Sequence, residues 1–349
     1  MSFWRHRRVL VTGHTGFKGS WLCLWLERLG AQVTGISLPP ATDPSLFQLL
    51  SPWPTLEHRI ADITAAESIG ALVAASKAEI LVHMAAQSLV PVGARDPVGT
   101  FAANLMGTVH ILQAGLALPA LKAALIVTTD KVYANADSGR AFVEDDALGG
   151  DEPYGASKAA AEFAVDAYRA RYAARGIGLA TARAGNVIGG GDWSAERLVP
   201  DLVRALWSGT PVTLRHPDAV RPWQHALDPL AGYLAYIERL AADPAHAPPT
   251  LNFAPADQAC RPVTDVVDAF AARFNDHPGW RPAAAAEQYH EAKTLRLSPA
   301  KAAATLGWHS RLDFAAATAW TADWYAAHRN GTPMRAFTLA QIENYEALA

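Results

Sequence analysis

Val9-Leu10-Val11-Thr12-Gly13-His14-Thr15-Gly16-Phe17-Lys18-Gly19 is the stretch on which the fold turns. Val9-Leu10-Val11-Thr12 is a short apolar run of the kind that fills a strand buried in a parallel sheet. Three glycines follow, and then a helical pattern from Ser20 to Leu29 closed by Gly30. Glycines at such a strand-to-helix turn let the backbone approach a pyrophosphate, whose charge then sits at the helix N-terminus. The spacing is G-x-x-G-x-x-G, not the G-x-G-x-x-G of the dinucleotide fingerprint, so close strand–helix packing is the competing reading. Its place between the first strand and first helix of an α/β chain favours a dinucleotide.

Outward from this unit the α/β alternation continues. Gln32 to Ser37 reads as a second strand, but no acid follows it until Asp43 and no Arg stands nearby, so NAD and NADP are poorly distinguished here. Asp62-Ile63, after the third strand, is an adenine-side contact or an ordinary helix cap. Ile80 to Met84 is the fourth strand and leads into Ala85-Ala86-Gln87-Ser88, where small residues leave room for a cofactor and Gln87 and Ser88 can reach a substrate. One long helix from about Pro97 to Leu116 carries Asn104. Leu125–Thr128, Leu179–Arg183 and Leu251–Ala254 supply three more strands, and helices are expected near 198–208, 227–242 and 263–274. The loop 134–153 reads as a polar surface flap. The pattern predicts an α/β chain with a Rossmann-type doubly wound parallel sheet and a smaller C-terminal substrate lobe. Residues 1–183 would be mainly the dinucleotide domain and 184–349 mainly the lobe, with the chain returning to the first domain near 225–255.

Bulk properties narrow the class. Of 349 residues 50% are hydrophobic and 18% charged, enough to bury a sizeable core. The formal net charge of -3 argues against general nucleic-acid binding. Cys23 and Cys260 are the only cysteines, so neither a disulfide framework nor a cysteine zinc site is indicated. His83, His110 and His225 are too scattered to suggest a metal. There is no uninterrupted apolar run of about 18 residues, and Gly13-His14 and Lys18 break the N-terminal one too early for a signal peptide, so a cytoplasmic protein is expected.

Two clusters carry chemistry. Tyr154 and Lys158 are four apart, on one face of an alanine-rich helix, where an ammonium favours the phenolate and makes a base for a sugar or alcohol hydroxyl. Alone the pair is as readily a solvated helix face. Thr129-Asp130-Lys131 gathers a hydroxyl, a carboxylate and an amine at the carboxyl end of the fifth strand, where such folds place ligands, although a capped turn reads the same way. Further on, Gly185 to Gly191 is glycine-rich and Arg197 follows it. Arg221-Pro222-Trp223-Gln224-His225 suits a nucleotide diphosphate and base, or a structural Arg–Trp stack.

Together these stretches resemble the extended short-chain dehydrogenase/reductase family over nearly the whole chain. The glycine turn continued through Ser20-Trp21, Thr129-Asp130-Lys131-Val132-Tyr133, Gly185-Asn186 through Asp192-Trp193, and Arg221 to His225 look like its CDP-glucose 4,6-dehydratase branch. Sister dTDP-glucose enzymes carry Thr-Asp-Glu where this chain has Thr129-Asp130-Lys131. The resemblance implies NAD held by Gly13, Thr15, Gly16, Phe17, Gly19, Asp62, Ile63, Ala85, Ala86, Asn104, Tyr154 and Lys158. It implies Thr129, Asp130, Lys131, Tyr154 and Lys158 as catalytic residues, and Gln87, Ser88, Asn186, Arg197 and Arg221 on the substrate, CDP-glucose. It implies oxidation at C4, loss of water across C5 and C6, hydride return to C6, a role in deoxysugar biosynthesis and a homodimer. A nucleotide-sugar 4-epimerase shares Tyr154, Lys158 and NAD but has no need of the Asp130-Lys131 pair. A non-catalytic dinucleotide-binding sensor commonly loses the tyrosine or lysine that this chain keeps.

Overall fold

Strand residues alternate between two buried layers, because successive side chains of a strand point to opposite faces. Val9 and Val11 enter one core while Leu10 enters the other, and the sheet is therefore covered on both sides. The computed structural model describes residues 3–135, 137, 139–255, 259–274, 279–284 and 294–348. Its central sheet contains β1 (Arg8–Thr12), β2 (Gln32–Ser37), β3 (Leu56–Ile60), β4 (Ile80–His83), β5 (Ala123–Val127), β6 (Gly178–Arg183) and a last strand at Thr250–Asn252. All neighbours are parallel, in the order Thr250–Asn252, β6, β5, β4, β1, β2, β3. From β1 the chain builds out through β2 and β3, then returns to lay β4 on the opposite side of β1. At that reversal the connecting loops part and leave a crevice at the strands' carboxyl ends.

One face of the sheet is covered by α1 (Phe17–Arg28), the helix Leu227–Ala242 and the two terminal helices Phe314–Arg329 and Met334–Ala347. The other is covered by helices Ala66–Ser76, Gly107–Leu116 and Pro153–Ala173. Helix α1 is buried from Gly19 to Leu26 without a break, because the terminal helices cover its outer side. Trp25 Nε1 donates to Glu346 (2.8 Å), Arg28 pairs with Glu343 and Glu346, and Arg335 pairs with Glu27.

Two local expectations differ in detail. The run from Pro97 to Leu116 is helical throughout, but Ala102–Met106 forms a π-helical turn. Such turns shift the helix register, and here Asn104 is turned inward and fully buried. The loop 134–153 is tied down rather than free over its described residues. Phe142 bonds through its N–H to the carbonyl of Arg296 (2.8 Å), Tyr133 stacks on Phe142 at 4.8 Å, and Glu144 accepts from the Asn252 N–H (2.8 Å).

The Pro153–Ala173 helix is fixed to the sheet by one buried carboxylate. Glu162 accepts from Arg183 Nε (2.9 Å) and Nη2 (3.0 Å), from Thr128 (2.5 Å) and from Thr181 (2.7 Å). Removing one partner of such a pair leaves the other charge uncompensated. Glu162→Ala should therefore lose about 3–5 kcal/mol of stability by urea unfolding; a loss under about 1 kcal/mol would mean that water replaces the carboxylate.

Candidate active site

The crevice is a cavity of about 760 Å³. It is lined by the glycine turn, the ends of β2 and β4, the turn after β5, the start of the Pro153–Ala173 helix and the segment after β6. Gly13 takes φ +77°, which glycine tolerates without strain, and a Cβ there would overlap the backbone of Met84 and Ala85. Helix α1 starts at Phe17 with Gly16 as N-cap and no side chain capping it. Its first-turn amides and its dipole are thus available to an anion. Thr15 donates to the Leu38 carbonyl (2.9 Å) and shares a 2.8 Å bond with Ser37, tying the turn to the end of β2 where an acid was absent. An uncapped helix N-terminus inside a long cavity fits a dinucleotide diphosphate. Asp62 and Ile63 line the same cavity, with Asp62 also accepting from the Thr64 N–H (2.8 Å).

All the residues expected to bind cofactor or substrate or to catalyse line this cavity, with one exception. Asn104 does not reach it. Its amide donates to the Gln87 carbonyl and to Ser157 (both 2.9 Å) and accepts from the Gln87 N–H (2.9 Å), so it fixes the loop after β4 to the Tyr154 helix. Gln87 lines the cavity, but its amide donates to Thr100 (2.8 Å) and accepts from the Leu89 N–H (2.6 Å). Ala85 lies beside it, its N–H reaching Thr12 Oγ1 (3.2 Å).

The chemical groups converge beside Tyr154. Thr129 donates to Asp130 Oδ1 (2.9 Å), and Asn186 Nδ2 donates to Asp130 Oδ2 (3.1 Å). Asn186 holds φ +52°, an uncommon conformation that asparagine tolerates better than most residues and that sets its amide on the carboxylate. Gly185 before it is needed for space: a Cβ there would overlap the Asp130 carboxylate. Lys131 lines the cavity next in sequence. Arg197 donates to Asp192 (2.9 Å) and to Ser88 Oγ (2.9 Å), so two expected substrate residues bridge the cavity to each other. Arg221 sits on the strand Val220–Pro222, which pairs with Cys260–Pro262. Among the described residues no group of three His, Cys, Asp or Glu is placed to hold a metal ion.

The electrostatics correct one expectation. Tyr154 is not primed as a phenolate: burial pushes its hydroxyl up to about 12, against a Thr129 hydrogen bond and the Arg197 charge that draw it down. Lys158 donates to the Val127 carbonyl (3.1 Å), and burial brings its ammonium down to about 8, with Glu162 acting in the opposite sense. Helical spacing puts the pair on one face, but it cannot report how little water surrounds it. Lys18 was also missed. It lines the cavity from the first turn of α1, and burial with the charges of Lys158 and Arg197 brings it down to about 8. The only sequence signal was a basic residue at a helix start, where a cation is out of place.

A model of the NAD dependent epimerase/dehydratase family matches residues 9–251. The chain belongs to that family. It is 39% identical to CDP-glucose 4,6-dehydratase of Salmonella typhimurium, over 99% of this chain and 97% of that one. It is 29% identical to a dTDP-glucose 4,6-dehydratase of Streptomyces antibioticus, over 92% and 93% of the two chains. Among solved structures, a dTDP-glucose 4,6-dehydratase of Streptomyces venezuelae with NAD bound superposes with a TM-score of 0.79 at 24% identity, covering 93% of this chain and 98% of that one. UDP-glucose 4-epimerase of Thermus thermophilus in complex with NAD gives 0.77 at 23%, covering 91% and 99%. Dehydratases and epimerases of the family thus share this fold, and the residues in the cavity must decide between them.

Two predictions follow from the site's geometry and charge. Gly185→Ala should keep the fold but displace Asp130, lowering turnover by at least about tenfold, equivalent to 1.4 kcal/mol; unchanged turnover would show that the carboxylate need not sit there. Lys158→Met should abolish turnover yet stabilise the protein at neutral pH. The unfolded lysine binds its proton up to 10.5 and the folded one only up to about 8. The cost is therefore full below about 8 and fades as pH rises toward 10.5. Unfolding free energies should show a gain on the order of 1–3 kcal/mol at neutral pH that shrinks above about 8; a gain independent of pH would refute the charge argument.

Proposed function

We propose that this chain converts CDP-glucose to CDP-4-keto-6-deoxyglucose by NAD-dependent 4,6-dehydration. The observation that carries it is the set Thr129, Asp130, Lys131, Tyr154 and Lys158 gathered at one wall of the cavity, in a chain 39% identical over 99% of its length to a CDP-glucose 4,6-dehydratase. Gly13, Gly16, Phe17 and Gly19 would hold the cofactor's diphosphate, with Asp62 and Ile63 at its adenine end. Bound NAD supplies a hydride acceptor for C4 and then a hydride donor for C6.

Tyr154 would take the proton of the sugar 4-hydroxyl while Thr129 hydrogen-bonds that oxygen. The phenol's burial opposes this, so the cations Lys158 and Arg197 have to favour the phenolate as substrate displaces water. The 4-ketone so formed acidifies the hydrogen on C5. Lys131 either takes that proton or holds the enolate's negative charge. Asp130, positioned by Thr129 and Asn186, would protonate the departing C6 hydroxyl, which leaves as water. Arg197 and Arg221 would take the substrate diphosphate, with Ser88 and Gln87 beside the sugar.

Apolar side chains stand exposed at Val98, Phe101 and Met106 on the helical run 97–116 and at Phe163 on the Tyr154 helix. Lone surface apolars are ordinary, but a set on two neighbouring helices supports the homodimer that the family resemblance implies. The protein would work in the cytoplasm as a step of deoxysugar biosynthesis; no described helix is long and apolar enough to cross a membrane.

Mass spectrometry of CDP-, dTDP-, UDP- and GDP-glucose incubated with the protein and catalytic NAD tests the reading. Loss of one water from CDP-glucose alone is expected. A same-mass isomer would move the assignment to the epimerase, which Asp130 and Lys131 argue against. Asp130→Asn should slow water loss more than C4 oxidation; equal loss of both would remove its role as the acid. Val98→Glu with Phe163→Glu should halve the mass seen by light scattering, and an unchanged mass would place any dimer contact elsewhere.

A further inference from the structure

The segment 192–197, just before the helix Leu198–Ser208, runs along the cavity, which Asp192, Ser194, Glu196 and Arg197 line. On its own side it is fixed by three side chains. The Tyr325 hydroxyl donates to the Asp192 carbonyl (2.5 Å), Arg204 to those of Trp193 (3.1 Å) and Ser194 (3.3 Å), and Arg215 to that of Glu196 (2.8 Å). Two further links tie the segment to the stretch after β4. Arg197 reaches Ser88 Oγ (2.9 Å). Arg95, which ends the short helix Val90–Arg95, grips the Glu196 carboxylate with both terminal nitrogens, Nη1 to Oε1 at 3.0 Å and Nη2 to Oε2 at 2.8 Å. Glu196 itself holds φ +62°. That left-handed conformation is uncommon for a glutamate and persists where the surroundings fix it. Here Arg215 fixes the carbonyl and Arg95 the carboxylate, so one strained residue is anchored from two sides.

Arg197 follows Glu196 directly, so the turn at Glu196 sets the direction in which the Arg197 side chain leaves the backbone. We propose that Arg95 and Glu196 are positioning residues for the substrate: their ion pair latches the segment 192–197 to the stretch after β4 and aims the Arg197 guanidinium at the substrate diphosphate. This rests on the reading above, in which a nucleotide sugar binds through Arg197. A diphosphate entering the cavity competes with Ser88 for the Arg197 donors, which weakens one of the two links. The Arg95–Glu196 pair uses no donor that the substrate needs, so it holds while Arg197 exchanges Ser88 for phosphate.

A bare charge effect reads differently. Glu196 lines the cavity as a carboxylate, and the Arg95 hydrogen bonds hold its carboxyl below the usual range against its partial burial. If only its field mattered, removing the Glu196 charge would strengthen the binding of an anion and removing the Arg95 charge would weaken it. A latch gives the same sign for both, since either change releases the segment. Exposed ion pairs are individually weak, and the bidentate geometry places this one at the upper end of their range.

The test is calorimetric titration of CDP and of cytidine into the NAD-loaded wild-type protein, Arg95→Ala, Glu196→Gln and the double variant. The Kd of CDP should rise about threefold to fivefold in each single variant, the upper range for an exposed pair. The double variant should bind no more weakly than either single one, because both changes break the same link. Cytidine has no phosphate to meet Arg197 and should bind all four proteins alike. The KM for CDP-glucose should rise by the same factor with kcat unchanged, the mark of lost uniform binding. The differences should shrink in about 1 M salt, where charges are screened within about 3 Å. Tighter CDP binding by Glu196→Gln, with wild-type affinity in the double variant, would replace the latch by a field effect. Equal weakening of CDP and cytidine would make the pair merely structural, and unchanged CDP binding would leave it no role. Wild-type protein that binds neither CDP nor cytidine would contradict the nucleotide-sugar reading itself.

Discussion

The Glu162 carboxylate, buried among Arg183, Thr128 and Thr181, is the interaction on which the arrangement of the site depends. It lies one helical turn beyond Lys158, which itself lies one turn beyond Tyr154. By bonding to β6 and to the residue after β5 it sets both the height and the rotation of the Pro153–Ala173 helix. Tyr154 and Lys158 then stand at the carboxyl ends of the strands, opposite Thr129 and Asp130. Asn104 fastens the other side of the same helix through Ser157. The helix is thus held from two directions by Glu162 and Asn104, neither of which lines the cavity, which is how a reactive pair can be placed without being part of a mobile loop.

That rigidity brings a cost in charge. The cavity wall gathers Lys18, Lys158 and Arg197 around a buried phenol, with Asp130 and Asp192 as the nearby acids. Without ligand the phenol is held protonated by burial, and two lysines are pushed toward neutrality by it. A nucleotide diphosphate and an oxyanion forming on the sugar are the species this arrangement suits, since each supplies the negative charge that the wall lacks. A 4-epimerase needs the phenol and one lysine only. The further placement of Asp130 between Thr129 and Asn186, with Gly185 clearing its space, is the feature on which the proposal of water loss rests.

Much of the fold was legible because it is written locally. The apolar run at Val9, the glycine turn and the strands at Ile80, Leu125 and Leu179 each announce themselves within a few residues. What was not legible depends on partners far along the chain. Helix α1 is buried on its outer side by helices some 300 residues later, which no periodicity of its own reveals. The π-helical turn at Asn104 is set by its bonds to Gln87 and Ser157, not by propensity. The residues proposed as catalytic were visible by spacing and resemblance, but the direction of the Tyr154 shift was not, since burial outweighs the Thr129 hydrogen bond and the Arg197 charge. Lys18 was passed over because a lone lysine in the glycine turn carries no sign of the cavity that buries it.

The central claim is that one hydride leaves C4 and comes back to C6 within a single closed site. CDP-glucose deuterated at C4, turned over with catalytic unlabelled NAD, tests it most directly. The account predicts a 4-keto-6-deoxy product that keeps the deuterium in its C6 methyl group, with mass reduced by one water. Product whose methyl group carries no label, or label still at C4 of an isomer of unchanged mass, would contradict it.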